Sequence, residues 1–133
     1  MKEGPIKLLG LSGSLRKESA STALLKSLEK LVRDKAELSI FSLAEIPLYN
    51  GDIDGDSKPA SVEALRQAIL LADGLVISSP EYNYGMPGVL KNALDWASRP
   101  AYASPLKGKH VLLFTSSPSP YGGVARSRSC VTR

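Results

Sequence analysis

The chain has one cysteine and one histidine in 133 residues. A single thiol excludes an internal disulfide, and one cysteine with one histidine cannot complete a zinc site, so no metal is expected. Cys130 unpaired suits a reducing compartment, and a cytoplasmic address is expected. No stretch approaches the ~18 consecutive apolar residues of a membrane span. The opening Met1-Lys2-Glu3-Gly4-Pro5 carries an acid and a proline before only a short apolar run, which is not the pattern of a secretory signal. Positive charge is also scarcer than the net +4 suggests. Residues 124–133 hold Arg126, Arg128 and Arg133 and no acid, so residues 1–123 are nearly neutral. A basic face for nucleic acid is therefore not expected.

What is present is an alternation. Ile6-Lys7-Leu8-Leu9-Gly10-Leu11 reads as a strand buried on both faces, broken by Ser12-Gly13-Ser14. A helix should start near Ser19 to Thr22, with Leu24, Leu25, Leu28, Leu31 and Val32 as its apolar stripe. A second strand is expected over 37–43, and a helix over 61–72 with Val62, Leu65, Ile69 and Leu70 inward. Residues 74–79 and 110–115 read as further strands. Between them a helix follows Pro87, placed as a first-turn proline, and buries Val89, Leu90, Ala93, Leu94 and Trp96. Strand and helix in turn predict an α/β domain with a parallel sheet and right-handed crossovers. Ligands of such sheets bind beyond the carboxyl ends of the strands.

Three unusual segments fall on that edge. Gly10 to Thr22 offers the hydroxyls of Ser12, Ser14, Ser19, Ser21 and Thr22, a helix start and the guanidinium of Arg16. These groups suit a phosphate monoester, or equally a Ser-rich helix cap beside an exposed arginine. The run lacks the Gly-x-Gly-x-x-Gly pattern of a pyrophosphate loop. Ser79 to Gly88 places two tyrosines, a glycine and two prolines between strand and helix. It suits a wall for a flat ring, or a rigid turn that covers the core. Thr115 to Gly123 is rich in small residues and permits close approach of a ligand.

Gly13-Ser14-Leu15-Arg16 with Ser19, then Glu45 to Asn50, Pro80-Glu81-Tyr82-Asn83-Tyr84-Gly85 and Leu90 to Trp96 resemble the NADPH-dependent FMN reductase family over residues 6 to about 123. That family includes quinone, chromate and azo-dye reductases. The resemblance implies a flavodoxin-like doubly wound sheet of strand order 2-1-3-4(-5). It also implies an NAD(P)H oxidoreductase that passes electrons through bound FMN to a small-molecule acceptor. Ser14, Arg16, Ser19 and Ser21 or Thr22 would hold the FMN phosphate. Ser21 is a mild departure from the family's frequent asparagine. Pro80, Glu81, Tyr82 and Asn83 would border the ring, with backbone N–H groups near N5 and O4, and Ser117 would approach from the other side. The chemistry would sit at flavin N5, fed by NADPH or NADH, with no catalytic side chain.

Tyr82 and Tyr84 are open between pocket wall and core packing. His110 reads as structural, and Lys91 and Asp95 as surface or subunit contacts. Homodimers or homotetramers are implied for the full-length family. Members also continue into a further helix, a fifth strand and a last helix. The expectation here is an incomplete domain over 1–123 and a non-family basic tail over 124–133. A flavodoxin-type carrier, or an inactive truncated fragment, is the alternative function.

Overall fold

The structure, a computed structural model, describes residues 4–117. The expected tail at 124–133 lies outside them. Four strands alternate with three helices: β1 (Ile6–Ser12), α1 (Ala20–Val32), β2 (Ala36–Phe41), α2 (Ala60–Leu71), β3 (Gly74–Ser79), α3 (Gly88–Ala97) and β4 (His110–Thr115). All ladders are parallel and the order is β2-β1-β3-β4. The chain steps from β1 outward to β2, then returns past β1 to β3. The order therefore reverses between β1 and β3, where a crevice opens at the carboxyl edge.

β3 lies between two neighbours and every one of its residues is buried, which explains why Gly-Leu-Val-Ile-Ser-Ser carries no charge. Its side chains alternate. Leu75 and Ile77 join Leu9 and Leu11 beneath α2 and α3, while Val76 joins Leu38 and Leu25 beneath α1. On the first side Val62, Leu65 and Ile69 of α2 meet Leu90, Ala93, Trp96 and Ala97 of α3. Fully burying a side chain of leucine size contributes about 1.5–3 kcal/mol, so this side carries most of the hydrophobic stabilisation. Among the described residues, no helix is long and apolar enough to cross a membrane.

Several boundaries and stripes differ from the sequence reading. β2 spans Ala36–Phe41 rather than 37–43, because its register is set by the six positions of β1 from Ile6 to Leu11. Leu43 leaves the strand and turns into the larger core. α2 begins at Ala60 behind Pro59, and Pro87 is the cap of α3 rather than its first residue. Leu31 is 80% exposed and Leu70 51% exposed. Each lies at the margin of an apolar stripe wider than the face its helix presents to the sheet.

Candidate functional site: a hydroxyl-lined crevice at the strand switch

The loop after β1 is shaped by local polar pairing. Ser19 caps α1: its Oγ accepts the Thr22 N–H at 3.3 Å, and its own N–H donates to Arg16 O at 3.2 Å. The N–H groups of Ala20 and Ser21 at the helix start have no partner among the described residues. These are the donors that a helix N-terminus presents to an anion. Ser14 Oγ accepts the Arg16 N–H at 3.3 Å. Among the described residues the exposed Arg16 guanidinium donates once, from Nη2 to Glu18 O at 3.0 Å, which leaves its other N–H groups unspent there.

Gly13 joins this loop to β3, since its N–H donates to Ser78 O at 2.8 Å. A Cβ at Gly13 would overlap Ser79 Oγ and lie 2.6 Å from Ser79 Cβ, so only glycine permits the approach.

The segment after β3 forms a tight hairpin. Tyr82 N–H donates to Gly85 O at 3.1 Å and Gly85 N–H to Tyr82 O at 3.0 Å. Asn83 and Tyr84 between them have φ of 51° and 61°. Two successive left-handed residues closing one bridge make a type I′ turn. Asparagine tolerates that region. A tyrosine there is strained, by roughly 1–2 kcal/mol. Among the described residues the turn leaves the Asn83 and Tyr84 N–H groups unpaired at its tip and consumes that of Tyr82. The Tyr84 ring is 83% exposed, which settles its alternative against core packing. Tyr82 forms part of the crevice wall.

These segments enclose a cavity of about 530 Å³ lined by Ser14, Arg16, Ser19, Ala20 and Ser21 on one side and Pro80, Tyr82, Ser116 and Ser117 on the other. Seven of the expected site residues thus meet on one wall or the other. Thr22, Glu81 and Asn83 stand outside the wall. Thr22 Oγ1 is turned back to donate to Ser12 Oγ at 2.8 Å, and Glu81 Oε2 is buried without a partner among the described residues. Ala20 and Ser116 were missed. Ser116 was legible by counting: Ser14, Pro80 and Ser116 each lie two positions beyond Ser12, Ser78 and Phe114, which are paired in register across β1, β3 and β4.

A second polar constellation braces the loop after β2. Pro47 O accepts from Asn92 Nδ2 and Trp96 Nε1, both at 2.8 Å, and Tyr49 N–H donates to Asn92 Oδ1 at 2.8 Å. Asp54 receives Lys58 Nζ at 2.5 Å, Arg99 Nε at 3.1 Å and the Tyr49 hydroxyl at 3.0 Å. The hydrogen bond from Lys58, then those from Arg99 and Tyr49, outweigh desolvation and hold the Asp54 carboxyl at about 2. His110 opens β4 and is exposed, and Lys91 pairs with Asp95 one helical turn away at 2.5 Å.

A family profile described as NADPH-dependent FMN reductase matches residues 6–130. The chain belongs to that family. Among its relatives is an NAD(P)H-dependent FMN reductase of Pseudomonas aeruginosa, 44% identical over 117 residues, which cover 88% of this chain and 63% of that protein. A quinone reductase of Escherichia coli K12 is 46% identical over 120 residues, 89% of this chain and 63% of the relative. The chain thus spans 63% of the length of both. Of solved structures, FerB, a flavoenzyme NAD(P)H:(acceptor) oxidoreductase from Paracoccus denitrificans, superposes with a TM-score of 0.86 at 35% identity. The match covers 92% of this chain and 67% of that one. The fold is accordingly α/β and flavodoxin-like, and FMN with NAD(P)H is the cofactor pair of the family.

The residues present fit that cofactor. Unspent helix N–H groups, the guanidinium of Arg16 with N–H groups beyond its one bond to Glu18 O, and three hydroxyls match a phosphate monoester, and among the described residues no carboxylate lines the cavity.

Proposed function

We propose that the crevice binds FMN. In the whole protein it would serve an oxidoreductase that takes electrons from NADPH or NADH and delivers them to a small acceptor such as a quinone, free flavin, chromate or an azo compound. The observation that carries this reading is the convergence of Arg16, Ser14, Ser19 and Ser21 on the unpaired start of α1, facing Pro80, Tyr82 and Ser117 across one cavity.

When bound, the flavin supplies the redox chemistry, taking hydride at N5 and passing electrons to the acceptor. The chain's own groups bind and orient. Arg16 and the three serine hydroxyls balance the phosphate charge, with the Ala20 and Ser21 N–H groups beneath them. Tyr82 N–H is committed within the turn, so the turn's own remaining donors for the ring edge are those of Asn83 and Tyr84, with Glu81 N–H just before it. Holding them in a rigid I′ turn fixes their direction before the ring arrives. Pro80 and Tyr82 exclude water from one side, and Ser116 and Ser117 are small enough to leave the other open for a flat reactant. Thr22 can join the phosphate ligands by a χ1 rotation away from Ser12.

The single cysteine supports a cytoplasmic setting. The exposed Leu48, Ile53 and Tyr84 support burial in a homodimer or homotetramer, which sedimentation would reveal.

Initial rates with NADPH and a quinone test the reading. Both reactants must reach the same face of the ring, so double-reciprocal plots should be parallel. Intersecting plots would reject the shared site. FMN binding without any NADPH oxidation would favour an electron carrier.

A further inference from the structure

Among the described residues only two buried side-chain polar atoms have no hydrogen-bond partner, Ser78 Oγ and Glu81 Oε2. Ser78 is the more telling. It is wholly buried, and a hydroxyl sealed from water without a partner opposes folding. A buried hydroxyl without a partner calls for a state in which it is paired.

Its place in the sheet identifies the partner. Ser78 of β3 is the register partner of Ser12 of β1. Neighbouring strands lie ~4.8 Å apart and paired residues share a face, so the two hydroxyls stand side by side. They form the layer directly below Ser14 and Pro80, which line the cavity. Ser12 Oγ is already occupied: it accepts from Thr22 Oγ1 at 2.8 Å and from Ser14 N–H at 3.3 Å, and donates to Ser14 O at 3.1 Å.

We infer that Ser78 is a positioning residue that takes over Ser12 when Thr22 turns to a bound phosphate. In the structure Thr22 donates to Ser12 and Ser78 is unpaired. In the loaded protein Thr22 donates to the phosphate and Ser78 donates to Ser12. The orphaned hydroxyl is thereby relieved by the ligand, and the Ser12-centred turn keeps its full set of bonds. The inference rests on the FMN reading above.

The test is a double-mutant cycle read by flavin fluorescence titration with FMN, together with thermal unfolding of the empty protein. Ser78→Ala should weaken FMN about fivefold, the ratio equivalent to one hydrogen bond's net contribution, while leaving the empty protein's midpoint unchanged or higher. In a Thr22→Ala background Ser12 and Ser78 are free to pair in both states, so adding Ser78→Ala should leave FMN affinity where Thr22→Ala alone put it. Equal weakening by Ser78→Ala in both backgrounds, no weakening in either, or a lowered midpoint would overturn the exchange. Arg16→Ala separates the two levels. If it leaves FMN affinity unchanged, the cofactor reading fails and the exchange with it. If it weakens FMN and Ser78→Ala does not, the exchange alone is wrong.

Discussion

Beneath α2 and α3 fourteen buried residues form one core around Trp96, whereas beneath α1 only Leu25, Leu38 and Val76 are fully buried together. The first side is braced further by Pro47 O, which ties the loop after β2 to two side chains of α3. The second side has hydroxyls where the first has methyls: Ser12, Ser19, Ser21, Thr22 and Ser78 cluster at the start of α1. One side of the sheet holds the fold. The other trades apolar packing for groups that an anion can use.

The largest expected effect sharpens that contrast. Trp96→Ala should cost about 4 kcal/mol, through the cavity it leaves and the donor lost to Pro47 O. Leu25→Ala should cost nearer 2 kcal/mol, the low end for its class, because fewer packed neighbours surround it. Denaturant midpoints of the two variants compare the sides directly, and equal losses would remove the distinction. Next is Gly13→Ala, which drives a Cβ into Ser79 at the junction of the two sides. Over-packing of this kind costs about 1–3 kcal/mol, and FMN affinity should fall with it if the loop after β1 holds the phosphate as proposed, since that loop is displaced from β3. Normal binding by this variant would show that the close approach of loop and strand is not needed.

Tyr84→Gly should raise stability by roughly 1 kcal/mol, because Asn-Gly is the preferred pair for a I′ turn and the strain at φ 61° disappears. A loss of stability would show that the exposed ring makes a contact of its own. The smallest effect is acid lability. The folded pKa of Asp54 is depressed from 3.8 to about 2, so its contribution is complete above pH 3.8 and is lost as pH falls from there through about 2. Thermal midpoints of the wild type should drop more steeply across that window than those of Asp54→Asn. Parallel curves would detach the loop network from the stability of the α2–α3 side.

What the sequence disclosed follows the same division. β3 and β4 were legible to the residue, since apolar runs bounded by glycine and proline leave little choice of end. The hydroxyl-rich loop and the proline–tyrosine loop were legible from composition and position on the sheet as segments that meet at one edge, and both line the cavity. The reach of each helix face was not legible: Leu31 and Leu70 fit a helical period yet are exposed. Nor was the I′ turn, because Asn83-Tyr84 lacks the glycine that normally announces one. The bracing at Pro47 depends on a backbone carbonyl, which no side-chain pattern reports. The unpaired state of Ser78 emerges only when the hydrogen bonds of its neighbours have been assigned.

The central claim is that the start of α1 is built for the phosphate of FMN. Parallel titrations of the wild type and Arg16→Ala with FMN and with riboflavin, which has the same ring and no phosphate, test it most directly. The expected result is that FMN binds the wild type far more tightly than riboflavin does. Arg16→Ala should then lose about 1.5–3 kcal/mol for FMN and almost nothing for riboflavin. Equal affinities for the two flavins, or an Arg16→Ala variant that weakens both alike, would contradict it.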